Sequence, residues 1–150
     1  TGAADSDVIS GGAGNDTLTA VGELTTLTGG AGNDTFVMNT ADTVNGYSTI
    51  TDLSSGDVID TDAATFSNSK VTLADTAVFQ DYANAAVNSV AADGATWFQF
   101  GGNTYVVVDS VAANSTSFTN ASDQIIKITG LVDLGTGAAF NVTTGDLTIL

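Results

Sequence analysis

GGAGNDTLTAVGELTTLTGGAGNDTFV, residues 11–37, holds nearly the same nine-residue string twice: GGAGNDTLT at 11–19 and GGAGNDTFV at 29–37. Between them lies AVGELTTLT (20–28) and ahead of them GAADSDVIS (2–10), so four units run in unbroken register from Gly2 to Val37. The eighth position of each unit is apolar (Ile9, Leu18, Leu27, Phe36), and the sixth reads Asp7, Asp16, Thr25, Asp34. A fixed short period of this kind is the signature of stacked repeat units.

The pattern carries its own physics. Gly-Gly-x-Gly admits positive φ at little steric cost, so the first half of a unit turns. The second half is a short strand whose central apolar side chain points inward. One coil with two turns uses two units, which sets equivalent residues 18 apart at a strand spacing of ~4.8 Å. Asp16 then lies beside Asp34. Two carboxylates at that separation repel by ~3.5 kcal/mol at an effective dielectric of 20, and by ~0.9 kcal/mol in bulk water. Turn carbonyls facing the same gap add negative dipoles, and a hard cation that accepts six to eight oxygen ligands relieves both.

The string resembles the GGxGxDxUx nonapeptide of the RTX (repeats-in-toxin) proteins, and both intact copies match every fixed position. The resemblance implies a parallel β-roll binding Ca²⁺ between successive loops, with turn carbonyls and the Asp carboxylate as ligands. Carried over, the ligand set is Gly11, Gly12, Ala13, Gly14 and Asp16 facing Gly29, Gly30, Ala31, Gly32 and Asp34. Eighteen residues beyond Asp34 is Asp52, in ITDLSSGDVID (50–60). That segment is similar to the I-x-D-F-x-x-G-x-D-x-I-D stretch that closes the roll in many RTX proteins, with Leu53 for Phe and one spacer fewer. The expectation is a ladder Asp16, Asp34, Asp52 with two ion sites between three rungs. The opposite edge reads Asp7, Thr25, Thr43 and so lacks successive carboxylates; Asp42 and Glu23 are candidates to compensate, but neither is in register. The two edges are therefore expected to bind ions unequally.

Composition narrows the classes of function. The chain has 17 acidic and two basic residues and a formal net charge of −15, which argues against nucleic acid, anionic membranes and phosphate-rich partners. Asp outnumbers Glu 16 to 1, and Asp is the carboxylate suited to tight turns. A 43% apolar content supports a packed core rather than disorder. Without Cys there is neither a disulfide nor a thiolate metal site. Without His or Cys the commonest general base and the thiol nucleophile are both missing, so no enzyme activity is expected within these residues. No apolar run of about 18 residues suggests a transmembrane segment. The chain opens on Thr in a degenerate repeat and shows no signal peptide, which reads as the C-terminal piece of a longer protein with further repeats upstream.

After the repeats, residues 38–47 lose the pattern, with Asn45-Gly46 a turn. Asp57, Asp60 and Asp62 read as a solvated loop in preference to ligands at the roll's end. Residues 70–80 suggest a strand and a turn. Residues 81–92 change to helical spacing (Tyr82, Ala85, Ala86, Val90), with Asp81 as N-cap and Asp93-Gly94 as the stop. Residues 95–109 form a hairpin about Gly101-Gly102-Asn103. Its Trp97, Phe98, Phe100 and Tyr105 invite a sugar-binding reading, but core and cap positions are favoured. A polar loop covers 111–122, and short strands follow at 123–130, 131–134, 138–142 and 147–150.

The expected fold is all-β: a calcium-binding RTX β-roll over residues 1–60, then a compact β-rich cap with one short helix over 61–150. The acid-then-apolar ending, 145–150, resembles the tail read by type I secretion systems, and residues 97–134 look similar to the C-terminal parts of bacterial RTX surface and S-layer proteins. The functional expectation is a Ca²⁺-dependent folding and export module, extracellular or on the bacterial cell surface, with the type I secretion machinery as partner. The alternative is a self-assembling subunit of a surface layer, filament or adhesin ordered by Ca²⁺.

Overall fold

The computed structural model describes residues 6–22, 24–38, 45–110 and 115–150. Glu23, Asp42 and Thr43, which the sequence sets at the second edge, lie outside the described residues. Over the first 60 residues the chain alternates between two sheets. Strands β1 (Val8–Ala13), β3 (Thr26–Ala31) and β5 (Ser48–Ile50) belong to one; β2 (Thr17–Thr19), β4 (Thr35–Val37) and β6 (Val58–Asp60) belong to the other. All neighbours within each set of three are parallel.

The first step keeps the 18-residue spacing: Leu27 lies beside Ile9 and Phe36 beside Leu18. The second step does not. Ile50 pairs with Leu27 and Ile59 with Phe36, a spacing of 23 residues (50 − 27 and 59 − 36). An 18-residue step would have carried Asn45 and Ser54 into the core rows. Burying an amide or a hydroxyl there without a partner costs about 1–3 kcal/mol each. With the longer step Leu27, Phe36, Ile50 and Ile59 are all 0% exposed. Hydrophobic burial therefore sets the register, and the unbroken 18-residue period expected from the sequence ends at Val37.

Both sheets are mixed and both continue past residue 60. The first has the order β1-β3-β5-β10-β9-β8-β7, where β7 is Thr65–Phe66, β8 Gly94–Phe100, β9 Asn103–Asp109 and β10 Gln124–Ile128. In it, β10 pairs in parallel with β5 and antiparallel with β9. The second has the order β11-β12-β6-β4-β2, where β11 is Ala138–Asn141 and β12 Asp146–Ile149; β12 runs antiparallel to both its neighbours.

Alternation of side chains along the strands divides the interior in two. Trp97, Val106, Val108, Ile126 and Ile128 face Leu18, Phe36, Ile59, Leu147 and Ile149 of the second sheet. Their sequence neighbours Phe98, Tyr105, Val107 and Ile125 turn the other way, onto Ala83, Ala86 and Val87 of α1 (Phe79–Asn88), the one helix among the described residues. Here the rings of Phe98 and Tyr105 stack at 5.2 Å, and Tyr82 lies on Phe98 at the same distance. Trp97 is 3% exposed and its Nε1–H donates to the Asn68 carbonyl at 3.2 Å. The aromatic residues of the hairpin thus fill cores.

Several boundaries differ from expectation. The helix starts two residues earlier than expected and ends four residues sooner; Val78 is its N-cap, and Asp81, at the third helical position, accepts the Val78 N–H at 2.9 Å. Ser89 closes it through its own hydroxyl on the Ala86 carbonyl, 2.7 Å. In residues 70–80 the expected strand is reduced to an isolated bridge, Val71 to Phe98, followed by a turn at 75–76 and the start of the helix at Phe79. Residues 131–134 make no strand; the Val132 carbonyl instead accepts from Gln99 and Thr104. The mostly-β class with one short helix stands, and no described helix is long and apolar enough to cross a membrane.

Candidate metal centre

The two matching turns have the same shape. Gly12 and Gly30 both have φ of 103°, and Gly12 pairs with Gly30 and Ala13 with Ala31. The Gly14 N–H donates to the Ala31 carbonyl at 2.7 Å. A Cβ on Gly30 would strike the Gly12 carbonyl oxygen, so successive turns approach too closely for any side chain at that position.

Within each unit the acid folds back over the first glycine. A Cβ placed on Gly11 would lie 2.8 Å from Asp16 Oδ2, and one on Gly29 would meet Asp34 Oδ2. Between units the carboxylates reach along the stack. The Asp16 N–H donates to Asp34 Oδ1 at 2.9 Å, and the Asp34 N–H donates to Asp57 Oδ1 at 2.9 Å. The row beside this edge is therefore Asp16, Asp34, Asp57. Asp34 is 1% and Asp57 2% exposed. Asp57 also takes the Ser54 N–H and hydroxyl on Oδ2, at 2.7 and 3.1 Å.

This corrects the ladder expected from the sequence. Asp52 does not stack beside Asp34. The 23-residue step puts it in the row of Gly11 and Gly29, where Oδ1 accepts the Gly29 N–H and Oδ2 the Gly30 N–H, both at 2.9 Å. Asp57, read as part of a solvated loop, is the buried acid of that rung. The signal was in the sequence: matching the apolar centres Leu18, Phe36 and Ile59, instead of counting 18, brings Asp57 into line. On the other edge the same step sets Ser48 beside Thr25, since Thr26 pairs with Thr49. The Thr26 N–H bonds to the Asp7 carbonyl and the Thr49 N–H to that of Thr25, so Asp7, Thr25 and Ser48 are successive there.

The donor set suits a hard cation. It consists of oxygen alone: backbone carbonyls of two glycine turns and the carboxylates of Asp16 and Asp34. Asp16 Oδ2 is buried and has no hydrogen-bond partner, an acceptor in want of a positive charge. Asp34, Asp52 and Asp57 differ, since each has an oxygen held by a backbone N–H. Among the described residues no group of three or more acidic side chains converges as a metal cluster, so a cation here would rely on one pair of acids and on carbonyls. Gly11, Gly12, Ala13, Gly14 and Asp16 are brought against Gly29, Gly30, Ala31, Gly32 and Asp34, and Asp52 lies on the far side of the second turn, bonded to the Gly29 and Gly30 N–H groups.

No protein-family model matches the chain, and no curated protein matches it.

Proposed function

We propose that residues 1–60 are a calcium-binding parallel β-roll of the RTX kind. In this reading the chain is the C-terminal folding and export module of a longer protein, with a type I secretion signal in residues 61–150. The observation that carries it is the buried, unpartnered Asp16 Oδ2 in the turn that stacks on the turn of Asp34. Where Ca²⁺ is scarce the acids and turn carbonyls repel, which favours an open chain able to thread a channel. Outside the cell, sites of the extracellular class bind at about 10⁻⁴–10⁻³ M, and the binding free energy becomes folding free energy. A site with Kd one tenth of the free Ca²⁺ concentration adds about 1.4 kcal/mol.

Far-UV circular dichroism during a Ca²⁺ titration, with Mg²⁺ as control, tests this. A cooperative gain of β signal with Ca²⁺ alone is expected. A domain fully folded and indifferent to Ca²⁺ would leave the repeats as scaffold and end the proposal.

A second reading has the domain as a self-assembling subunit of a surface layer or filament. It is favoured by the strand order, in which β1 and β2 end their sheets among the described residues, and by Val8 of β1, which is 79% exposed. Open strand edges recruit further strands. Light scattering on Ca²⁺ addition separates the two: a module that only exports and folds stays monomeric.

A further inference from the structure

A second pair of acids lies on the other side of the first sheet's centre, away from the repeats. Asp109 ends β9 and Asp123 immediately precedes β10. One step beyond the Gln124–Val108 pair, the antiparallel register sets them directly opposite each other. Both are 0% exposed. Asp123 accepts N–H bonds from Ser110 on Oδ1 at 3.0 Å and from Thr119 on Oδ2 at 2.7 Å. The Asp109 carboxyl faces that of Asp123 closely enough to act on it both as a like charge and as a hydrogen-bond partner. An ionised carboxylate has no donor, so a bond between two of them needs one shared proton.

The pair anchors a strap. Ser115 Oγ lies 3.2 Å from Asp109 Oδ1, the Thr119 N–H is on Asp123, and the Phe118 N–H donates to Asn84 Oδ1 of α1 at 3.0 Å. Residues 115–119 are thereby tied to the acids and to the helix, and Phe118, 7% exposed, packs in the core of Ala83, Ala86, Val87 and Ile125.

We propose that the Asp109–Asp123 pair is a proton-dependent clasp, holding the 115–119 strap over the helix-side core in acid and releasing it as pH rises. Neither lysine neutralises the acids in place of the proton. Lys70 bonds to Gln99 Oε1 at 3.0 Å. Lys127 pairs with Tyr105, each four residues along its strand from the acids and thus about 13 Å away by strand rise. Strand β8 has no ionisable group, and the exposed Asp93 just before it gives its backbone N–H to the Asp109 carbonyl, 2.6 Å. On α1, Asp81 caps the N-terminus through Val78 and Tyr82 lies on Phe98.

Burial is the first cause raising the Asp123 carboxyl above its ordinary range; the two amide bonds lower it, and the Asp109 charge raises it again. A group whose pKa is raised by closure contributes fully below its open-state value, and the contribution is lost as pH rises through the closed-state value. The strap is therefore firmest in acid and loosens upward from the ordinary aspartate range.

Amide hydrogen exchange by NMR on the whole chain tests this, from pH 4 to 8 at fixed Ca²⁺, with rates corrected for intrinsic exchange. Protection at Phe118 and Thr119 should fall several-fold with rising pH, while Val107 and Ile126 stay constant. In Asp109→Asn the side-chain amide can donate to Asp123, whose two oxygens still accept from Ser110 and Thr119, without a titrating proton, so protection should be flat with pH. Asp109→Ser, which leaves a hydroxyl as donor, carries the same test if Asp109→Asn fails to fold. Flat protection in the unmodified chain, or an unchanged pH dependence in the variant that folds, overturns the proposal. Protection that follows Ca²⁺ and not pH also overturns it.

Discussion

One seven-stranded sheet separates two ways of keeping acids out of water. On the repeat side, Asp34, Asp52 and Asp57 each accept backbone N–H groups from the preceding rung. On the hairpin side, Asp109 and Asp123 face each other across one strand pair, both fully buried. In the first arrangement each parallel strand supplies a fresh amide for the next acid, whether the step is 18 or 23 residues. In the second, antiparallel strands put like groups opposite each other, and a proton must stand between them. Buried acids thus contribute to stability in a parallel stack through register, and across an antiparallel pair through protonation.

The largest effect expected bears on what both halves share. Phe36 and Phe98 are 0% exposed, one in each core, and truncation to Ala should cost each about 3–5 kcal/mol in urea unfolding. A loss below about 1 kcal/mol at either would mean that core is not closed.

Next comes the stack itself. Asp34→Ala removes the acceptor of the partly buried Asp16 N–H, and at constant Ca²⁺ should cost about 1.5–3 kcal/mol, the range for a bond to a charged group. Under the proposed function it also flattens the calcium titration. An Asp34→Ala variant with unchanged calcium dependence would remove Asp34 from the ion site.

Comparing Asp57→Ala with Asp52→Ala sharpens the register. Asp57 is buried and accepts three bonds, whereas Asp52 is half-buried with two, so losses of about 2–3 and about 1 kcal/mol are expected. The reverse order would restore the 18-residue ladder through Asp52.

The smallest effect concerns Asp60, opposite Asp146 where β6 meets β12. Burial first, and then the charges of Asp62 and Asp146, hold its carboxyl above the usual range against an amide bond from Asp62. Folding is thus weakened as pH rises through that raised value. Asp60→Asn should raise stability at pH 7 by about 0.5 kcal/mol, a screened surface magnitude, with the gain vanishing near pH 3. Equal gains at both pH values would exclude ionisation as the cause.

Legibility followed the range over which the sequence constrains itself. The 18-residue pairing of Leu18 with Phe36 was readable because two copies of one string fix it, and the hairpin because Gly101-Gly102 sits between apolar runs. The third rung was misplaced because counting continued through residues 38–47, where the repeat is lost. The apolar rows ending in Ile50 and Ile59 carried the true step. The pairings of β5 with β10 and β6 with β12 join segments far apart in sequence that share no motif, so nothing local announces them. Asp109 and Asp123 likewise read as the ordinary ends of two strands; only their register makes them a pair.

The place of β12 has a consequence for the timing of folding. It is the last strand in sequence, yet it lies between β11 and β6, and Ile149 exchanges backbone bonds with Gly56 and Asp57 at 2.9 Å each. A chain delivered from its N-terminus can pair β2 with β4 early, but cannot join β11 to that sheet until Ile149 is free. Such long-range closure slows folding through the loop entropy it must overcome. The second sheet is therefore assembled late, and a chain still held at its C-terminal end leaves the β6 edge uncovered.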